Sequence, residues 1–330
     1  MEIHLIFTQN NKLKVSIFNN QFQHGDFKIC FSLVYSIQAV QGGSIVKKVG
    51  RYYEINSEQD EIFFSLQEPR IGSYNLSCGP EGLFVLDKND IKIECKIIPL
   101  KFENPIPKIE YSEDSDKIFN PIIPLPNTSK LKKDTVQIKD LIFKISSSEK
   151  DFFDNFENLI TVSNIKFNTL KGFPIVFTKK QLQSEEYKIS IDKNLITIHY
   201  SDYGGKFYSI ISLIQLLNYY KSNLPLGLIQ DSPALNWRGM HLDCARQFYS
   251  IDEIKRLLDY MSFFKLNRFH WHLTDNEAWR VDLECYPNLT KVGAFRGYNE
   301  AIPPFYGTGY HKSGGYYSRT EIKELIEYAK

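Results

Sequence analysis

The chain has 330 residues, of which 42% are hydrophobic and 14% aromatic, and this predicts two or three domains with sizeable buried cores. Its formal net charge of +1 predicts neither a nucleic acid nor an acidic membrane surface as a partner. The N-terminal residues lack the basic start and apolar run of a secretory signal. No apolar stretch is long enough for a membrane span. The five cysteines are scattered and form no CxxC pair. We therefore expect a cytoplasmic protein with reduced cysteines.

Residues 1–98 are predicted to form an N-terminal β-sandwich-like domain. Short alternating runs recur there, separated by Gly, Asn and Asp: LKVSIF, FKICFSLVYSI, EIFFSL, GLFVLD and IKIECKII. Such a domain could bind sugar or could be an inert packing module, and we favour the second interpretation. Residues 99–126 then contain six prolines and predict a linker.

Residues 127–230 are predicted to form an α+β domain. The runs TVQIKDLIFKI and PIVFT indicate strands with a helix over KDFFDNFENLI between them, and YKISID with LITIHYSD indicates a hairpin. The segment KFYSIISLIQLLNYY has apolar residues at helical spacing. Together these elements predict a sheet with helices on one face.

Residues 231–330 have the rhythm strand–helix–strand–helix. The strands are WRGMHLD and NRFHWHL, and each following helix begins with a capping box, Ser250 with Glu253 and Ser318 with Glu321. Two consecutive β–α units predict a parallel sheet or a barrel with its site at the carboxyl ends of the strands.

Charged residues follow both of these predicted strands. The first strand ends at Asp243 and continues to Arg246, and the second ends at Thr274 and Asp275. A guanidinium and a carboxylate would then face one pocket, where arginine can donate several hydrogen bonds to hydroxyls. The alternative is an Arg–Asp ion pair that only ties the loops together.

Two histidines of the second strand permit a different chemistry. His270 and His272 alternate onto one strand face, and a His-x-His pair can bind a metal ion. We favour hydrogen-bonded histidines that fill the interior, because further ligands are not evident.

Trp279 could stack on a sugar ring or close a core. The Gly-, Tyr- and Pro-rich residues 297–318 are typical of a long loop over a barrel mouth.

Three segments carry a resemblance to a known family. WRGMHLDCARQF, KLNRFHWHLTDNEAWR and YPNLTKVGAFRG resemble the start of the catalytic barrel of glycoside hydrolase family 20, the β-N-acetylhexosaminidases. SEEYKISI, GGKFYSIISLIQLL and LIQDSPALNWRG resemble the α+β domain that precedes that barrel, and the first 100 residues resemble the β-rich extension of some bacterial members. The implied architecture is an N-terminal β-sandwich, an α+β middle domain and the start of a (β/α)8 TIM barrel, with about two of its eight units.

The resemblance also implies an activity and roles for two residues. The family cleaves terminal β-linked N-acetylglucosamine or N-acetylgalactosamine with retention, through attack by the substrate's own acetamido oxygen and without metal or cofactor. Arg246 matches the arginine that binds the outer hydroxyls of the sugar. Asp275 matches the aspartate that polarises a histidine in contact with the catalytic acid.

Other family features are missing from this sequence. It lacks the His-x-Gly-Gly run followed by the orienting Asp and the acid Glu, the Pro-Gly-His segment and the tryptophans that enclose the acetamido group. Asn276, Glu277 and Ala278 replace residues common in the family motif, and we do not assign Glu277 as the acid. We therefore expect a fragment or truncated product that is inactive alone. The alternatives are a non-catalytic sugar-binding or scaffold remnant and a metal-dependent hydrolase, and the oligomeric state is left open.

Overall fold

The computed structural model describes residues 1–8, 12–67, 79–102, 118–154 and 164–330. These residues form two compact units. The first unit contains the described residues up to 102 together with Leu242–Ile251 and Trp271–Lys330. The second contains the described residues between 118 and 241 together with Asp252–His270. Within the described parts of the chain, no helix has the length and hydropathy needed to cross a membrane.

Two five-stranded sheets form the N-terminal part of the first unit, in the orders β10-β1-β2-β7-β4 and β5-β6-β3-β8-β9. Their strands are β1 (Glu2–Phe7), β2 (Lys12–Phe18), β3 (Phe27–Ser32), β4 (Ile37–Gln41), β5 (Gly43–Val49), β6 (Tyr52–Ser57), β7 (Glu61–Leu66), β8 (Glu81–Asp87), β9 (Lys92–Ile93) and β10 (Lys96–Phe102). Alternate residues of β1 are buried, and apolar residues of both sheets share one core. The predicted sandwich is confirmed, although β1 and β10 pair in parallel.

Strand β10 continues beyond residue 98 through Pro99. It thus enters the segment predicted as a linker, whose residues 103–117 lie outside the described residues. The domain boundaries inferred from the sequence stay predictions.

A seven-stranded sheet and a long helix form the core of the second unit. The sheet order is β11-β17-β15-β16-β14-β12-β13. Its elements are β11 (Thr128–Gln137), β12 (Ile142–Lys144), α1 (Lys150–Asp154), β13 (Lys166–Asn168), β14 (Phe173–Lys179), β15 (Tyr187–Ile191), β16 (Ile196–Tyr200), α2 (Tyr203–Tyr220) and β17 (Asn223–Asp231). The predicted hairpin of β15 and β16 is confirmed. So is the predicted helix α2, which begins where Asp202 accepts a hydrogen bond from the Gly205 amide at 2.9 Å.

Three features of this unit differ from the sequence-based expectation or extend beyond it. The single strand predicted over TVQIKDLIFKI is wrong, because Asp140 and Leu141 adopt positive φ angles of 53° and 51° and separate β11 from β12. Only the first part of the helix predicted over residues 150–160 is described, as α1. Strand β17 was not predicted, and its Gly227 has a φ of 144° at a point where a Cβ would lie 2.2 Å from the Lys130 carbonyl oxygen.

The last 100 residues follow the predicted strand–helix–strand–helix order, with short strands and one short helix inserted before the last helix. The elements are β18 (Gly239–Asp243), α3 (Ile251–Phe263), β19 (Arg268–His272), β20 (Thr274–Asp275), β21 (Ala278–Trp279), α4 (Asn288–Lys291), β22 (Phe295–Arg296), β23 (Ser313–Gly314) and α5 (Arg319–Tyr328). Strands β18 and β19 form a two-stranded sheet. The assignment of these elements to an eight-stranded barrel stays a prediction.

The two helices of this segment differ in how much of their apolar face is buried. In α3, Ile254, Leu258 and Met261 are buried, as their spacing predicts. In α5 the Ser318–Glu321 capping box is confirmed. Of the apolar residues in this helix, Leu325 is buried, whereas Ile326 is 52% exposed.

Candidate functional site

The carboxylate of Asp243 shapes the turn that carries Arg246. Asp243 is the last residue of β18, and its Oδ1 accepts hydrogen bonds from the backbone amides of Ala245 and Arg246 at 3.0 and 3.1 Å. Its Oδ2 accepts a further hydrogen bond from Arg246 Nη1 at 2.9 Å. The chain reversal is therefore of the Asx type, and the same side chain fixes both the turn and the guanidinium.

The structure brings Arg246 into direct contact with Asp275. Arg246 Nη1 donates to Asp275 Oδ2 at 2.6 Å, and His272 Nε2 lies 3.1 Å from the same oxygen. If His272 donates its Nε2 proton to Asp275, that nitrogen cannot accept from Arg246, so the 3.4 Å separation between Arg246 Nη1 and His272 Nε2 is then a contact only. The two residues singled out from the ends of successive strands thus meet in one place.

Two further residues complete the surroundings of Arg246. Glu277 Oε2 lies 3.4 Å from Arg246 Nη2, and the Tyr306 hydroxyl donates to Glu277 Oε1 at 3.1 Å. Glu277 was considered from the sequence only as a residue not to be assigned as the acid. Tyr306 was not predicted, because its only signal in the sequence is the tyrosine-rich composition of the loop.

Three carboxylates therefore surround one guanidinium. Partial burial works to lower the pKa of Arg246, but hydrogen bonds with Tyr306 and Asp275 and the charges of Asp243 and Glu277 raise it above its usual value. The pKa of Asp275 is lowered by the backbone amide of Asn276 and by its contacts with His272 and Arg246. Both side chains are charged at neutral pH, and the Arg246 side chain remains 35% exposed, so a ligand hydroxyl can reach it.

Two buried arginines support this cluster, and the sequence analysis identified neither. Arg280 is fully buried and donates to the carbonyl oxygens of Cys244 at 2.8 Å and Gly315 at 3.0 Å, and also to that of Ala294. Arg296 donates to the carbonyl oxygen of Arg246 itself. The backbone of the turn is thus fixed by hydrogen bonds from two buried guanidinium groups.

The histidines considered for metal binding have protein partners. The ring of His270 lies edge to face with that of His241, at 4.6 Å between centroids, and His272 contacts Asp275. His241 is on the preceding strand, and the sequence analysis did not consider it. The metal-binding alternative stays a prediction that metal analysis of the purified protein decides. Trp279 donates its indole N–H to the Val281 carbonyl oxygen at 2.7 Å, and its proposed stacking on a sugar also stays a prediction.

Comparison with known proteins identifies the family. The catalytic domain of glycosyl hydrolase family 20 matches residues 235–330, and domain 2 of the same family matches residues 120–232. The site residues described above all lie in the catalytic-domain match. The chain belongs to glycoside hydrolase family 20.

Individual relatives agree with this assignment. A β-hexosaminidase of Vibrio furnissii is 39% identical over 157 residues, which are 47% of this chain and 26% of that protein. N,N'-diacetylchitobiase of Vibrio harveyi is 31% identical over 249 residues, which are 69% of this chain and 28% of that protein. A crystal structure of the family 20 exo-β-N-acetylglucosaminidase from Vibrio harveyi, in complex with N-acetylglucosamine, is similar over 99% of this chain and 55% of its own, with 25% identity and a TM-score of 0.75. The chain thus spans about a quarter of the length of these two curated relatives.

Proposed function

We propose that this chain is part of a β-N-acetylhexosaminidase that hydrolyses terminal β-linked N-acetylglucosamine or N-acetylgalactosamine with retention. The observation that carries the proposal is the half-exposed Arg246 held by Asp243 and Asp275, within the segment that matches the family's catalytic domain. Its partner is an aminosugar oligosaccharide or glycoconjugate, and its location is cytoplasmic. Strands β18 and β19 with helices α3 and α5 are proposed as the first two units of the barrel.

In this proposal Arg246 donates hydrogen bonds to the outer hydroxyls of the terminal sugar. A guanidinium has five N–H donors in a fixed plane, so it can retain Asp243 and Asp275 as partners and still donate to two neighbouring hydroxyls. Asp275 has a supporting role: it would polarise the histidine that contacts the catalytic acid, and it limits the positions open to Arg246.

The proposed bond-breaking step needs groups beyond Arg246 and Asp275. The substrate's acetamido oxygen attacks the anomeric carbon, a glutamic acid protonates the leaving oxygen, and the preceding aspartate orients the acetamido group. The family resemblance expects this Asp–Glu pair after a His-x-Gly-Gly run, and no such run occurs in the 330 residues. We therefore propose that the chain alone binds N-acetylglucosamine weakly and does not hydrolyse aryl N-acetylglucosaminides.

Ligand-detected NMR and an aryl-glycoside assay test the two halves of this proposal separately. We expect N-acetylglucosamine to bind, and Arg246→Met to weaken binding about tenfold or more, since hydrogen bonds to a charged group contribute about 1.5–3 kcal/mol. Arg319→Met is the matched control, because Arg319 is exposed at the start of α5. Equal binding by Arg246→Met and the control would reject the assigned role of Arg246, and hydrolysis above the blank would reject inactivity.

A further inference from the structure

A loop of the catalytic segment is attached to the N-terminal sandwich at several points within the first unit. We define the Tyr306 loop as residues 303–310. The Gly307 amide donates to the Ser32 hydroxyl at 2.7 Å, and that hydroxyl also lies 3.3 Å from the Glu81 carbonyl oxygen, to which it donates. Gly82 has a φ of 60°, and a Cβ there would lie 2.5 Å from the Gly307 carbonyl oxygen. The backbones of the loop and the sandwich therefore approach each other so closely at Gly82 that only a residue without a side chain fits there.

Aromatic contacts extend this attachment. Phe84 of β8 lies edge-on to Tyr310, with 5.6 Å between ring centroids, and Tyr310 in turn stacks on Tyr298 at 5.5 Å. Phe305 packs against the same buried cluster. Such pairs contribute energy beyond the area they bury, so the loop is anchored by packing as well as by hydrogen bonds.

The same loop reaches the residues around Arg246. The Tyr306 ring has the Arg51 guanidinium of the sandwich 5.4 Å from its centroid and that of Arg296 at 5.5 Å. Its hydroxyl donates to Glu277, which in turn contacts Arg246. Tyr306 also has a positive φ of 50°, which a non-glycine residue keeps only when its surroundings hold it there.

We propose that the N-terminal sandwich is a positioning element of the sugar site, and that Arg51 and Ser32 act through Tyr306 to hold Glu277 and Arg246 in their binding geometry. The sequence alone favoured an inert packing module for this domain. The contacts above support a different role, since they form a continuous path from β3 and the turn after β5 to the guanidinium. The effect on sugar binding rests on the proposed function, whereas the effect on the geometry of the site does not.

Hydrogen–deuterium exchange of the 330-residue chain tests the geometry without any ligand. In Ser32→Ala and Arg51→Met we expect the amides of Gly307 and Arg246 to exchange about fivefold faster or more, because a lost hydrogen bond or cation–π contact makes local opening easier. Arg51→Lys keeps a cation and should restore most of the protection. Lys14→Met is the matched control for Arg51→Met. It also removes a cation that lies over an aromatic ring, that of Phe63, but in the other sheet of the sandwich.

Sugar affinity is measured on the same variants, with Tyr306→Phe added to remove the hydroxyl while keeping the ring. We expect Ser32→Ala, Arg51→Met and Tyr306→Phe to bind N-acetylglucosamine about five- to tenfold more weakly, and Lys14→Met to bind as the unaltered chain does. Unchanged exchange at Arg246 in Ser32→Ala and Arg51→Met would overturn the positioning role. If exchange rises as expected but the unaltered chain binds no sugar, the proposed function fails and the positioning of Arg246 stands.

Discussion

The buried guanidinium of Arg280 gives the sharpest test of how the site is built. Its Nε donates to the Cys244 carbonyl oxygen at 2.8 Å, and its Nη1 donates to the carbonyl oxygens of Ala294 and Gly315. Its Nη2 also donates to the Ala245 carbonyl oxygen at 3.4 Å. These acceptors come from the turn before Arg246 and from two later loops. Replacement by methionine keeps much of the volume but removes every donor. The Ala294 carbonyl oxygen keeps the Gly315 amide as a partner, whereas the carbonyl oxygens of Cys244, Ala245 and Gly315 lose the guanidinium at once.

The expected loss of stability for Arg280→Met follows from two opposing terms. A buried acceptor left without a partner costs about 1–3 kcal/mol, so three of them would cost roughly 3–9 kcal/mol if none found a new partner. Against this, burial lowers the pKa of Arg280 to about 10, and removing the guanidinium also removes the cost of burying its charge. We expect a net loss of about 3 kcal/mol, which is at the upper end of the usual range for single substitutions.

Urea denaturation followed by tryptophan fluorescence measures this loss. The chain has three tryptophans, and replacing the exposed Trp237 by phenylalanine leaves Trp271 and Trp279 as reporters of the first unit. If the free energy of unfolding falls by about 2 kcal/mol per molar urea, the urea concentration at the midpoint of unfolding should be about 1.5 M lower for Arg280→Met. Arg319→Met should change the stability by less than about 0.5 kcal/mol, as is usual for exposed positions. An equal midpoint for both variants would refute the claim that Arg280 holds the three loops together.

Three other predictions concern single positions. Because the pKa of Asp275 is lowered, its carboxylate keeps its contacts at any pH above 3.8, the ordinary aspartate pKa, and loses them only as the pH falls through the lowered pKa. Carboxyl NMR should show that the pKa of Asp275 rises in Arg246→Met. Ser318→Ala should cost about 1 kcal/mol by calorimetry. It should also move the pKa of Glu321 part of the way back up, because Glu321 loses the hydroxyl donor of residue 318 and keeps its backbone amide donor. Gly314→Ala should cost about 2 kcal/mol or more in urea denaturation, since a Cβ there would lie 2.1 Å from the Ala294 carbonyl oxygen. Gly309→Ala should cost about 1 kcal/mol, because its φ of 75° is unfavourable for alanine but the nearest atom to a Cβ there, the Gly82 carbonyl oxygen, lies 3.7 Å away.

Sequence patterns predicted those elements whose formation depends mainly on neighbouring residues. Alternating apolar residues predicted the sandwich strands, and the order of strands and helices predicted that Arg246 and Asp275 would lie near each other. Strand β17 was missed because Pro225 and Gly227 oppose strand formation and are accommodated only by the pairing of β17 with β11 and β15. Tyr306 was missed for a related reason: the path of a loop, set by contacts with residues more than 200 positions earlier, decides where its hydroxyl lies.

The ion pair between Arg246 and Asp275 and a role in sugar binding are compatible. Ion pairs that are partly exposed, as these side chains are at 35% and 29%, contribute only about 0–1 kcal/mol, so a hydroxyl can share either partner at little cost. Arg280 and Arg296 are buried, so the exposed part of the cluster consists of Arg246 and its three carboxylates and is negative in sum, which disfavours anionic sugars. We therefore expect N-acetylglucosamine 6-sulfate to bind this chain more weakly than N-acetylglucosamine in ligand-detected NMR. Added salt should narrow the difference in affinity between the two sugars, because it screens the repulsion between the sulfate and the carboxylates. Glu277→Gln should narrow this difference further. Preferential binding of the sulfated sugar would show that the carboxylates do not set the charge preference of the site.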